Sequence, residues 1–520
     1  MQSIMQSSRL IENSQRHLPW LLAAVGVLFV DGLSTIRASG AEPPRASRPP
    51  NIVLVLADDL GYGDLACYGN SIVKTPHLDR FARQGLRFTH CYSAGANCSP
   101  SRAGLMTGRT PYRVGIHNQI PFLSPMHLRS SEKTIAALLR DFGYDTCHVG
   151  KWHLNGMFNL PGQPRPADHG FRHSFGTQNN CLPNHRNPYN FVRNDIPVGP
   201  LAGYAAQLVV DEAERWLRTD RDPTKPFFLY VAFHEPHEPI RSAPEFEAIY
   251  DFPDDPSRTA YFANISQMDH AFGRLAALLE ELNLAAETLV WFTSDNGPAR
   301  TKWHNAGSTA GLRDYKGSVA EGGIRVPGLV RWPGRVAAGS VSDVPVCGVD
   351  FLPTACAAAG VAPPHDRTLD GTSLLPLFGG QAFHRRRPLY WQFNDASGDH
   401  ALALRDGDWK VVARLSLAKP RQRASITAEG NHVLQEAEPV GFEIYNLAVD
   451  PAEQRDLTAT EPARAATLRK QLIDAFHEVR AETPVWPTFD DPGYEAPRIE
   501  WPSYVAKPLT PPKASAKERD

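Results

Sequence analysis

The 520-residue chain carries no excess of charge, no cysteine framework, no internal repeat and no obvious membrane span. Lys and Arg number 54 against 56 Asp and Glu, a net charge of −2, so no basic footprint argues for a nucleic-acid partner. The seven cysteines (Cys67, Cys91, Cys98, Cys147, Cys181, Cys347 and Cys356) are irregularly spaced. They match neither a disulfide scaffold nor a paired-cysteine metal knuckle, and leave one or two bridges open in an oxidising compartment. No His or Cys cluster has zinc spacing. The apolar run Leu18 to Val30 is too short, and too soon broken by Asp31, for a comfortable bilayer crossing. Arg9 and Arg16 precede it and Ser39-Gly40-Ala41 follow. That is the layout of a secretory signal over residues 1–41, cleaved after Ala41, with no lipobox cysteine near the cut. An exported chain is expected, periplasmic, secreted or otherwise extracytoplasmic, without stable membrane insertion.

What is present is an ordinary globular composition, 42% hydrophobic and 21% charged, long enough for one large domain and a smaller one. Apolar runs at Asn51–Ala57, Tyr144–Val149, Phe227–Phe233 and Thr288–Thr293 suit strands buried on both faces of a parallel sheet. Helical patterns lie between them at Leu78–Gln84, Thr134–Phe142, Tyr204–Arg218 and Tyr261–Leu282. The alternation predicts an α/β fold, a large central, mostly parallel sheet flanked by helices. After Pro376 the texture changes to short strand-like pieces and one amphipathic pattern, Ala463–Val479, which predicts a small C-terminal antiparallel sheet with one helix. The expected divisions are 42–378, 379–482 and a Pro-rich tail, 483–520, wrapping or loose, with Ser416–Pro439 as a surface excursion.

Each of the four long strands delivers polar residues just past its carboxyl end, where open α/β sheets place their ligands. Asp58-Asp59 follow the first, Gly150-Lys151-Trp152-His153 the second, His234 the third and Ser294-Asp295-Asn296-Gly297 the fourth. Asp58, Asp59, Asp295 and Asn296 are oxygen donors that suit Ca²⁺ or Mg²⁺, although each segment alone also reads as a turn. Near them in sequence type stands Cys98-Ser99-Pro100-Ser101-Arg102, opening a helix that Gly108 stops. Pro100 reads as its first residue. A thiol there, beside Arg102, reads either as a reactive cysteine of lowered pKa or as a small buried hydrophobe.

The pattern C-x-P-S-R-x-x-L-x-T-G-R, from Cys98 to Arg109, resembles the signature of the formylglycine-dependent sulfatases. The layout is similar to arylsulfatases and N-acetylgalactosamine-6-sulfatases. That resemblance implies an alkaline-phosphatase-like fold, oxidation of Cys98 to formylglycine (3-oxoalanine) by a formylglycine-generating enzyme, and a sulfated carbohydrate or aryl sulfate substrate. It also implies a Ca²⁺ (or Mg²⁺) site from Asp58, Asp59, Asp295, Asn296 and the modified Cys98. Arg102, Lys151, His153, His237 and Lys316 match the family's catalytic positions. In the implied reaction, a hydrate hydroxyl at position 98 attacks sulfur. Lys316 with His237 or His153 serves the leaving oxygen, and His153 deprotonates the second hydroxyl so that sulfate is expelled. His234 lies close enough to His237 to exchange roles with it; a zinc site on the two lacks an evident third ligand. His185 and Arg186, in the polar insertion 179–187, and His304 are candidate sugar-binding residues. Two competing readings are a phosphodiester or phosphonate monoester hydrolase of the same superfamily, and a non-catalytic binder of sulfated glycans. Three carboxylates, a divalent cation and three basic side chains sum to +2, a pocket that selects anions.

Overall fold

The computed structural model describes residues 48–417 and 424–501. The expected signal segment and the end of the tail lie outside the described residues. The strands and helices named below are, in chain order, β1 (Asn51–Asp58), α1 (Cys98–Thr107), β2 (Asp145–Lys151), β3 (His173–Thr177), α2 (Ala205–Arg215), β4 (Phe227–Pro236), α3 (Pro256–Glu281), β5 (Thr288–Ser294), β6 (Gly328–Arg331) and α4 (Phe351–Ala359).

Five parallel strands in the order β5-β1-β4-β2-β3 form the heart of a ten-stranded sheet. Every residue of β1, β2, β4 and β5 is buried, as expected of strands covered on both faces. Antiparallel β6 joins beside β5, and pieces of two or three residues complete the edges. The two-residue strand period sends alternate β1 side chains to opposite cores. Val53 and Val55 meet Val209, Ile265 and Met268 from α2 and α3. Ile52, Leu54 and Leu56 meet Ala103, Met106, Leu352 and Ala355 from α1 and α4. The register pairs Leu56 with Ala232 on one side and Thr293 on the other, and Gly150 with Ala232. Four carboxyl ends therefore finish level with one another.

The small sheet has four antiparallel strands: β7 (Leu389–Gln392), β8 (Leu402–Asp406), β9 (Trp409–Leu415) and β10 (Pro439–Asn446). One face takes Leu468, Leu472 and Phe476 of a long helix, Pro462–Glu482. The other packs Trp391, Ala403 and Val412 against Tyr92, Val319 and Ile324 of the main body. That junction holds a fully buried ionic cluster, in which Lys410 Nζ lies 3.0 Å from both Glu321 Oε1 and Glu453 Oε1. Two expectations need correction, on the stretch 416–439 and on the start of α1. Residues 416–439 are not merely an excursion, because Ala428–Glu436 is helical, with Thr427 Oγ1 accepting from Gly430 N–H at 3.0 Å. The helix α1 begins at Cys98, so Pro100 is its third residue. Asn97 caps it, its Oδ1 accepting from Cys98 N–H at 2.9 Å. The described part of the tail wraps: Trp486 Nε1 donates to Gly115 O at 2.6 Å, and Phe489 and Ile426 exchange backbone bonds of 2.7 and 2.8 Å.

Candidate active site at the carboxyl edge of the sheet

Successive strand side chains point to opposite faces, so two adjacent carboxylates converge only if the strand is broken. The chain does this at the end of β1, where pairing to β4 slips between Leu56 and Asp58, and Asp59 takes a left-handed φ of 65°. Asp59 N–H then donates to Asp295 Oδ1 at 3.1 Å, and Asn296 Nδ2 donates to Asp59 Oδ1 at 2.7 Å. Leu60 N–H donates to Ser294 Oγ at 3.0 Å, which sews the β1 and β5 ends together. On β2, Gly150 has φ 104°, and a Cβ there would lie 1.8 Å from Ala232 O. Only glycine lets the strand come close enough to β4 to aim Lys151 at Asp58.

The acids face three cations. Arg102 donates to Asp295 Oδ2 through Nε at 3.0 Å and Nη2 at 2.7 Å, and through Nη1 to Lys151 O at 2.9 Å. Lys151 Nζ lies 2.6 Å from Asp58 Oδ2, and Lys316 Nζ 2.6 Å from Asp59 Oδ1. Lys316 is carried by a loop whose backbone bonds Pro298 O, and Gly317 N–H donates to Ala96 O at 2.8 Å, two residues before Cys98. Burial pushes the Asp58 carboxyl up, but Lys151, then His237 and Arg102, outweigh it and hold the group well below the usual carboxylate range.

Asp58 Oδ1 and Asn296 Oδ1 are buried without a hydrogen-bond partner, which is costly unless something electropositive meets them. With an oxygen donor set of Asp58, Asp59, Asp295 and Asn296, the site fits a hard divalent cation. His237 also belongs at this cluster: one atom each of Asp58, Asp59 and His237 lie within 4.8 Å of one another.

Of the two readings of the thiol, the structure provides the buried one rather than the low-pKa one. Cys98 is buried, and burial raises its pKa, with Lys151 and Lys316 pulling only partly against it. Its Sγ donates to Asn97 Oδ1 at 3.3 Å. All seven cysteines are free. His153 sits at φ 54°, its Nε2 3.1 Å from Ile120 O and its Nδ1 buried without a partner. Because a carbonyl only accepts, Nε2 carries the proton and Nδ1 keeps its lone pair. Burial, then Lys151 and Arg102, depress its pKa and keep the ring neutral. Lys316 and His237, with 15% and 19% of their side chains exposed, mark the open side of an otherwise enclosed cluster.

The other sequence candidates are distributed differently. His234 is buried, bonded through Nε2 to Thr177 Oγ1 at 2.7 Å, and His185 is buried against Asn264 at 3.3 Å. His304 Nε2 lies 3.4 Å from Glu238 Oε1, next to His237, with its ring against Tyr261. Arg186 is exposed on the 179–187 loop, its backbone bridged to Tyr204. Residues that sequence reading passed over are Asn97, Gln178 and Glu238. Asn97 had a legible signal, an Asn directly ahead of a helix; Gln178, whose carbonyl accepts from His153 N–H at 2.7 Å, had none.

Acids, cations and a neutral base gathered at the carboxyl edge of a parallel sheet suit a hydrolase acting on an oxyanion ester. The comparisons name the kind. A family model described as Sulfatase matches residues 50–361, and one described as N-sulphoglucosamine sulphohydrolase, C-terminal, matches residues 312–414. N-acetylgalactosamine-6-sulfatase of Canis lupus familiaris is 35% identical over 413 residues, 73% of this chain and 74% of its own length. Arylsulfatase A of Bos taurus is 34% identical over 486 residues, 86% and 92% of the two chains. The crystal structure of Ps i-CgsB matches with a TM-score of 0.72 at 27% identity, covering 87% of this chain and 97% of its own; it has also been solved in complex with k-i-k-neocarrahexaose. The chain belongs to the sulfatase family and is a sulfuric ester hydrolase.

Proposed function

We propose that this enzyme hydrolyses sulfate esters of carbohydrates outside the cytoplasm, using a formylglycine made from Cys98 by a formylglycine-generating enzyme and a Ca²⁺ or Mg²⁺ ion. The observation that carries the reading is the oxygen cluster itself, with two buried oxygens that accept no hydrogen bond, close to Cys98 and three basic side chains. A hydrated aldehyde at position 98 would supply the hydroxyl nucleophile for sulfur, and a divalent cation in the acidic cluster would supply the charge that favours its ionisation. Asp58, Asp59, Asp295 and Asn296 would hold the cation. Arg102 and Lys151 fix the acids and offset their charge, so that a bound sulfate meets a net positive pocket. Lys316 and His237, at the open side, stabilise and protonate the leaving alcohol oxygen. The free lone pair on His153 Nδ1 takes the proton whose removal lets sulfate depart. Residues 42–378 form the catalytic domain in this reading, with 379–482 as a subdomain that walls it. The carbohydrate assignment is supported by the relatives: an N-acetylgalactosamine-6-sulfatase and a neighbour solved with a neocarrahexaose.

Paired aryl sulfate and phosphodiester substrates, with an O-sulfated sugar panel, test the reading. Sulfate release should dominate, and Cys98→Ala should lower turnover by about 10⁴-fold or more. Phosphodiester turnover exceeding that of every sulfate would refute the sulfate assignment, and full activity of Cys98→Ala would refute the nucleophile.

A further inference from the structure

The tail residues that sequence reading left as wrapping or loose pack on segments that adjoin the site. Tyr494 stacks on Phe122 at 5.5 Å, Glu500 N–H donates to Pro183 O at 2.9 Å, and the Trp501 ring lies parallel to Trp303, 3.4 Å away and 11° from coplanar. Between these anchors, Glu495 Oε2 accepts from Asn179 Nδ2 at 3.0 Å. Both ends of the strap rest on catalytic neighbours. Asn179 follows Gln178, whose carbonyl holds His153 N–H, and Trp303 precedes His304, which pairs with Glu238 beside His237.

We infer that Glu495 is a specificity-determining residue that accepts hydrogen bonds from hydroxyl or amide groups on the leaving sugar; this rests on the sulfatase reading above. Its Oε2 is held by Asn179, whose neighbour Gln178 holds His153 N–H through its carbonyl, so the carboxylate lies on a segment that also positions the base. A carboxylate there repels a sulfate group, which leaves the sulfate end of the substrate to Arg102, Lys151 and Lys316 and turns the donor-rich sugar end toward the strap. A carboxylate has about four lone-pair sites, so the Asn179 bond leaves acceptor capacity for a ligand. A flat aryl leaving group has no such donors to offer.

The test compares wild type, Glu495→Ala, Glu495→Gln and Trp501→Ala on an aryl sulfate and on O-sulfated N-acetylhexosamines, reading kcat and KM for each. The sugar-to-aryl ratio of kcat/KM should fall at least fivefold in Glu495→Ala, mainly through KM for the sugar. Glu495→Gln, which keeps an acceptor oxygen, should recover part of that loss. Trp501→Ala, which opens the clasp without touching Glu495, should move the ratio in the same direction, and stands in if Glu495→Ala fails to fold. A ratio that changes less than fivefold in folded Glu495→Ala, or equal losses on both substrates, would overturn the role of Glu495 while leaving the sulfatase reading intact. Failure of the wild type to release sulfate from either substrate, with phosphodiester turnover retained, would instead overturn the sulfatase reading.

Discussion

Arg102 is the side chain on which the electrostatics of the site turn, and replacing it by Met tests this directly. Its guanidinium is fully buried and makes two bonds to Asp295 Oδ2 and one to Lys151 O. Removing it leaves a buried carboxylate and a buried carbonyl without their donors. Breaking one partner of a buried ion pair costs about 3–5 kcal/mol, most of it the penalty of the stranded charge. Asp295→Asn removes that charge but keeps an oxygen for the Asp59 N–H. The double variant Arg102→Met/Asp295→Asn should therefore be destabilised by about 2 kcal/mol less than the sum of the two single variants, a coupling typical of residues in direct contact. Denaturant unfolding of the four proteins in the cycle measures it. Turnover should be lost in all three variants, because each lacks Arg102, which fixes the acids, or the Asp295 carboxylate, which would hold the cation. Additive effects, with coupling under about 0.5 kcal/mol, would show that the two groups act independently and refute the reasoning.

Lys316→Ala should lower kcat by about 10²- to 10³-fold, the usual cost of deleting one preorganised group at a developing charge; steady-state kinetics showing a pure KM effect would reassign it to ground-state binding. Lys410→Met should destabilise the fold by about 3–5 kcal/mol, since it removes the buried cation that Glu321 and Glu453 share at the junction of the two sheets. A denaturation midpoint equal to wild type would deny the cluster a structural role. The protein should also be acid-sensitive in a particular window. Burial depresses His148 to about 3 and His169 to about 4, so both stay neutral in the fold while the unfolded chain takes up protons near 6.5. The unfolded state then binds more protons, and stability is complete above pH 6.5 and falls as pH drops toward 4. At about 1.4 kcal/mol per unit, His148 alone contributes on the order of 4 kcal/mol by pH 3. Denaturant midpoints measured from pH 7 to 4 should decline, and His148→Phe, among Trp152, Phe171 and Tyr230, should flatten the decline; a flat wild-type profile would contradict the assignment.

The main sheet was legible because its central strands are buried on both faces and so read as unbroken Val, Ile and Leu runs. Their ends agree with the structure to within three residues: the run to Ala57 becomes a strand to Asp58, and Phe227–Phe233 extends to Pro236. The small sheet was legible from the shift to short pieces broken by Gly and Asp. The helix at Ala428–Glu436 was not, because its signals are a Thr cap and only two buried positions, Gly430 and Val433. At the site, the local chemistry of Asp58, Lys151 and Asp295 pointed to shared strand ends, but which cation meets which acid depends on register. The thiol illustrates the limit. A helix N-terminus and an arginine argue for a lowered pKa, yet Arg102 spends its charge on Asp295 and complete burial decides the direction for Cys98. Glu495 and Trp501 lie more than 190 residues from the segments they cover, in a Pro-rich stretch without periodicity, so nothing local marked them.

Mass spectrometry of the peptide spanning position 98, taken from purified and sulfate-releasing enzyme, tests the central claim most directly. The chemistry proposed for this pocket predicts an aldehyde-bearing residue in place of the cysteine, in an amount that tracks specific activity across preparations. An intact thiol at position 98 in fully active enzyme would contradict it.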